Sequence, residues 1–263
     1  MDMRDPHVVS LRYKLGTDDK TRYKDPAPVE YEIDEFRLRL HEGILTCRMK
    51  QDFPSEQDAR KAVEPLLRAW ELDAALTRGD SIRFLFNKAE VIDRDPPHPG
   101  TAQVVLLRAL DLVAVAEAVS VVVEQSIYPQ PPRSFVASPD VETMWHRYTG
   151  YLNGREHLLA MANFCLSLVM WLAEGEPGKK KLEKTSHWLN IDPAILRQLS
   201  KWAANRGDTK TARKIDAQST FEPLTQAEVA WVEAAVKALI HQLGTHASGT
   251  QPRRLRMSDL PPT

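Results

Sequence analysis

Three prolines within four residues, in Tyr128-Pro129-Gln130-Pro131-Pro132, constrain this chain more than any other stretch. A proline ring fixes φ and removes the amide donor, so neither a helix nor a β-ladder runs through such a segment, and an extended connector is expected. The sequence differs in kind on its two sides: strand-like alternation with one helix before it, helical periodicity without a strand pattern after it. The expected fold is therefore α+β. A mixed strand/helix domain occupies 1–128, a Pro-rich linker 129–138, an all-α helical bundle 139–245 and a disordered tail 246–263. With 263 residues the chain is long enough for two such cores.

In the N-terminal half, Val8–Leu15 alternates as a first strand. Tyr31, Ile33, Phe36, Leu38 and Leu40 alternate with charged residues, His41-Glu42-Gly43 turns, and Ile44–Met49 returns, a hairpin with one wet face. Ser55 is placed to cap a helix running to about Arg78, which Pro65 should kink or break and Gly79-Asp80 should end. Ser81–Ile92 reads as another strand, and Asp95–Gly100 as a breaker. Thr101–Tyr128 holds β-branched runs around an alanine-rich middle, expected to be a strand followed by a mixed stretch.

Beyond the prolines, Ser138-Pro139 and Asp192-Pro193 both pair an N-cap residue with proline at the first helical position. Leu158, Met161, Cys165, Leu168 and Leu172 form a buried seam on a helix apolar nearly all round, which should sit centrally. Lys181–Leu189 suits a short helix, and Gly207 a helix stop with Asp208 capping a turn over Thr209–Ile215. Thr225-Gln226-Ala227-Glu228 is a capping-box pattern opening a last helix that Gly244 should end. From Thr245 the Ser/Gly/Pro/Arg-rich composition predicts disorder. The tryptophans cluster in this half, and Trp171 and Trp202 fall on apolar stripes, so core packing is expected for them.

Composition excludes several classes. Hydrophobic residues at 43%, charged residues at 27% and a formal net charge of −1 rule out a fibrous chain or a uniformly basic polyelectrolyte partner. Cys47 and Cys165 are far apart and form no Cys-x-x-Cys, which gives no zinc or dithiol site and suits a reducing compartment. The polar N-terminus lacks a signal-peptide core, Arg108, Asp111 and Glu117 break the apolar run Val104–Val123, and no segment reads as membrane-spanning, so a cytoplasmic protein away from the membrane is expected. His146, His157 and His187 lack metal-ligand spacing, and no nucleophile elbow, Walker loop or dinucleotide fingerprint occurs. No metal, cofactor or catalytic residue is therefore assigned, and a binding protein is expected rather than an enzyme.

One region departs from packing logic. Lys179–Lys214 carries ten cations against three anions, so the rest of the chain is net negative. Arg206, Lys210, Arg213 and Lys214 gather beside a helix start, where cations and free amides together hold phosphate. A solvated surface run is the plainer reading of the same residues. The helix order over Asp140–Leu243, the apolar helix Tyr151–Leu172 and the Arg206 region resemble bacterial HEPN-domain proteins of the ApeA-like type, whose members act in phage defence. HEPN ribonucleases pair an Arg with a His a few residues downstream. Here Gly207–Arg213 contains no His, so only Arg206 carries over, and the resemblance implies holding a phosphate rather than cutting beside it. The expected function is a non-catalytic HEPN-like module binding RNA or a nucleotide in a bacterial defence or stress system. Two alternatives stand beside it: a scaffold or homo-oligomer whose basic face meets an acidic protein, and an atypical ribonuclease using His187.

Overall fold

The computed structural model describes residues 5–18, 21–95, 104–108, 123–174, 181–206 and 222–263. Within them the chain is α+β, with six α-helices and an antiparallel sheet. It divides into two compact units, Met1–Pro132 and Arg133–Thr263, with the division inside the proline-rich stretch.

The first unit is built on period two. Strand β4 (Phe36–His41) buries Phe36, Leu38 and Leu40 and exposes Arg37, Arg39 and His41. Glu42 and Gly43 follow, both at positive φ (48° and 71°), the two-residue turn whose twist matches that of the strands it joins. Strand β5 (Ile44–Met49) then pairs Cys47 with Leu38 and Arg48 with Arg37. Tyr31–Leu40 is not one continuous strand. A separate β3 (Val29–Glu32) pairs antiparallel with β4, the chain reversing between them as the Ile33 N–H donates to the Phe36 carbonyl at 3.1 Å. The expected hairpin is thus a three-strand meander, because the charged Asp34-Glu35 turn interrupts the alternation.

Strand β1 (Pro6–Thr17) lies between β5 and β6 (Ile82–Asp93), and β7 (Val104–Arg108) extends the sheet, for the order β3-β4-β5-β1-β6-β7. A short β2 (Thr21–Tyr23) pairs in parallel with β8 (Val123–Gln125). The alanine-rich part of Thr101–Tyr128, at 109–122, and most of the Asp95–Gly100 breaker lie outside the described residues. Helix α1 (Glu56–Thr77) covers one face of the sheet: Val63, Leu67, Trp70 and Ala74 join Leu11, Tyr13, Leu38, Leu40, Leu45 and Cys47 in a single apolar cluster. Ser55 caps it by accepting from the Asp58 N–H. Pro65 neither ends nor splits this helix; it and Lys61 are exposed, so the Lys61 carbonyl that loses its partner can bond to water. At the far end, buried Asp80 accepts from Arg78 Nε (2.9 Å), Gln125 Nε2 (2.5 Å) and the Tyr23 hydroxyl (3.3 Å), fastening the end of α1 to β2 and β8.

Within the second unit the described elements are α2 (Pro139–Leu152), α3 (Leu158–Glu174), α4 (Lys181–Trp188), α5 (Pro193–Asn205), α6 (Gln226–Ala247), a short 3-10 turn at Met257–Asp259 and one isolated bridge. Helix α3 packs against α2, α4, α5 and α6. Ser138 and Asp192 cap α2 and α5, each followed by proline, and Thr225 and Glu228 form the reciprocal capping box of α6.

Three expectations fail here. Gly244 does not end α6, which continues to Ala247; instead a Cβ at Gly244 would overlap the buried Phe135 ring, and the Val136 N–H donates to the Gly244 carbonyl at 3.0 Å. The 246–263 tail is not disordered. Leu255 exchanges backbone hydrogen bonds with Asn190 and Asp192, Gln242 Nε2 donates to the Arg253 carbonyl at 2.8 Å, and Leu260 is buried, so long-range partners satisfy a backbone that composition alone left unassigned. Trp202 and Trp231 are buried and meet edge to face, but Trp171 is 69% exposed, sharing the outward side of α3 with exposed Ser167 one turn earlier.

An arginine face on the sheet as candidate functional site

Arg206 follows the last residue of α5, where the chain turns extended. Its guanidinium is turned onto the start of α6: Nη2 lies 2.8 Å from Glu228 Oε2 and 3.1 Å from the Pro223 carbonyl, and Nε donates to the Glu222 carbonyl at 3.3 Å. The same Glu228 oxygen accepts the Thr225 N–H. Both side chains are largely covered, 20% and 14% exposed, so Arg206 acts as a clamp between α5 and the α6 cap. Lys210, Arg213 and Lys214, with Gly207 and Asp208, lie outside the described residues, so Arg206 is the one member of the expected cluster that the structure places. His187 is exposed in the last turn of α4, with no side-chain hydrogen bond among the described residues.

Cations are gathered elsewhere. The face of the sheet opposite α1 carries the outward residues of β3, β4, β5 and β1, and the ladder lines them up. One row runs Glu30, Arg39, Thr46, Arg12 and Lys88, and its register continues to Arg108 on β7. The next row runs Glu32, Arg37, Arg48 and Ser10, then Glu90. Arg12, Arg37, Arg39 and Arg48 thereby line an open concavity of about 530 Å³. Arg37 is directly opposite Arg48, and Arg12 opposite Lys88, like-charge cross-strand pairs that cost stability.

Acidic groups lie on both sides of the arginines, Glu30 and Glu32 on β3 and Glu90 on β6, where it accepts from the Ser10 hydroxyl at 3.1 Å. Glu30 holds Arg37 at 2.6 Å and lies 3.8 Å from Arg39 Nε. The hydrogen bond from Arg37, and then its charge, keep the Glu30 carboxyl below the usual range and raise the guanidinium in turn. Arg12 and Arg48 make no ion pair or side-chain hydrogen bond among the described residues. Thr46 adds a hydroxyl between Arg39 and Arg12. On the rim His41 Nε2 is 3.7 Å from Glu42, and no Phe, Tyr or Trp lines the concavity. Such an arrangement binds anions by charge and by the planar donor fork of arginine.

A second polar site is largely satisfied within itself, although the buried Arg147 Nε has no hydrogen-bond partner among the described residues. A smaller hollow of about 180 Å³ beside α2 holds Arg147, but this side chain pairs with Glu156 and lies over the Phe164 ring at 4.4 Å. No cluster of three His, Cys, Asp or Glu suited to a metal occurs among the described residues, and no helix among them is long and apolar enough to cross a membrane. Both thiols are free and buried, and burial pushes them upward, Cys165 to about 12, which leaves them poor nucleophiles.

The arginine face has little signature in the sequence because solvated charges are what any half-wet strand displays. Arg37 and Arg39 at alternate positions were a visible signal; their union with Arg12 and Arg48 depends on pairing register. No protein-family model, no curated protein and no solved structure matches this chain.

Proposed function

We propose that this protein is a non-catalytic binding module for a phosphate-bearing ligand, RNA or a nucleotide, and that the arginine face of the first unit is its binding surface. The observation that carries this reading is the like-charge pairing of Arg37 with Arg48 and of Arg12 with Lys88 in adjacent ladder rows. Such pairs work against folding, and an anionic ligand removes the repulsion. Free, buried thiols support a cytoplasmic setting. We keep the HEPN-like reading of 139–245 on its helix order, with α3 against α2, α4, α5 and α6 among the described residues, and we keep a role in bacterial defence as part of that reading. Arg206 is assigned to the clamp rather than to ligand.

The test is the paired variant Arg12→Thr, Arg48→Thr, compared with the wild-type protein by thermal unfolding and by anisotropy with labelled single-stranded RNA and competing tripolyphosphate. Threonine suits an exposed strand position, so the variant should unfold about 0.5–1 kcal/mol less readily. Its affinity for both phosphate probes should fall at least tenfold. Unchanged binding refutes the assignment, and RNA cleavage that disappears in His41→Ala refutes the non-catalytic part.

One observation favours a protein-interaction scaffold as second reading: the 69% exposure of Trp171 on α3. Light scattering that shows an oligomer lost in Trp171→Ser would support it.

A further inference from the structure

We infer that the arginine face takes the sugar–phosphate backbone of a single-stranded polynucleotide laid across the strands, in preference to a mononucleotide. This rests on the phosphate-binding reading above and narrows it.

The spacing of the cations carries the inference. Arg37 and Arg39 are two residues apart on β4, about 7 Å along the strand. Arg48 is the direct cross-strand neighbour of Arg37, about 5 Å away. Arg39 and Arg12 flank Thr46, with two strand spacings, about 10 Å, between their backbones. Arg37 and Arg39 both reach Glu30, so neighbouring guanidinium groups can share one anion, while the set of four spans three strands and carries donors for more than one phosphate. The backbone separations, about 5 to 10 Å, bracket the spacing of successive phosphates along one extended strand.

The lining also speaks against a nucleotide site. A mononucleotide pocket needs a shelf for the base and backbone amides converging on the phosphates. Here the lining residues come from strands whose amides are engaged in the ladder, no Phe, Tyr or Trp offers a stacking platform, and Ile44 is the one large aliphatic residue in the lining. Affinity must therefore be summed over several phosphates, with the bases turned outward and little sequence preference.

Charge count sets the expected salt dependence. Glu30 engages Arg37, which leaves Arg12, Arg39 and Arg48 as the main phosphate contacts. About three phosphates on a single strand give a log–log salt slope near −2, or roughly 20-fold weaker binding between about 50 and 200 mM salt.

The experiment uses the full chain and anisotropy with labelled oligouridylates from dimer to dodecamer, with UMP and a duplex of matched length as competitors. Affinity should climb steeply until about three phosphates are present and then level off, with other homopolymers binding within a few-fold of oligouridylate. Arg12→Thr, Arg48→Thr should flatten the salt slope to about −0.7, the value for one remaining contact. UMP competing as well as the dodecamer overturns the polymer inference while leaving phosphate binding intact, and so does preference for the duplex. Failure of every phosphate probe, tripolyphosphate included, overturns both.

Discussion

At the scale of single residues, Arg206 shows how a functional-looking cation can be a structural one. Its hydrogen bonds go to the Glu222 and Pro223 carbonyls and to the Glu228 carboxylate, which is also half of the α6 capping box. Removing it leaves Glu228 less well compensated and two carbonyls short of a donor. Arg206→Ala should therefore cost about 2 kcal/mol in urea unfolding, in the range for hydrogen bonds to charged groups, and should leave RNA affinity unchanged. A loss of binding with stability intact would return Arg206 to the ligand site. The link to Glu228 could not be read from the sequence, because partner choice for a side chain is a long-range property.

Elements show the same division. Caps were legible because they are local: Ser55, Ser138, Asp192 and Thr225 each accept the amide that their position implies. Glycine breaks helices on average, which makes Gly244 look like a stop, yet the structure keeps it helical with Phe135 lying against the backbone of α6. In an ordinary helix Gly→Ala gains up to about 1 kcal/mol. Here Gly244→Ala should instead destabilise by about 1–3 kcal/mol through overpacking. Adding Phe135→Leu should recover part of the loss, and a double-mutant cycle on thermal unfolding measures that coupling. Additive effects would show that Phe135 is not the obstacle.

For the whole molecule, the point where the first unit ends is set by two aromatic residues. Trp70 on α1 is fully buried and its indole N–H donates to the Pro129 carbonyl at 3.1 Å; Tyr128 is buried as well, and its hydroxyl accepts the Gly43 N–H at 2.9 Å. The start of the proline-rich segment is thus part of that unit's structure. Trp70→Phe keeps a ring in the core but loses the indole donor and some volume, and should lower stability by about 2 kcal/mol in urea unfolding. Hydrogen exchange should show the amides of β4 and β5 losing protection with it. Wild-type protection in those strands would mean that Trp70 is not central to this core.

By itself the sequence determined what depends on neighbours along the chain: the α+β class, the alternation that leaves one sheet face wet, most helix starts and the site of the proline-rich division. Periodicity and capping act over a few residues, so they can be read in one dimension. Tertiary structure alone decided which wet residues meet. Arg12, Arg37, Arg39 and Arg48 become one surface because ladder register brings β1, β4 and β5 side by side. Register is fixed by which apolar residues share the opposite face, as where Leu11, Leu38 and Cys47 line up beneath α1. The candidate site is thus a by-product of how the core packs.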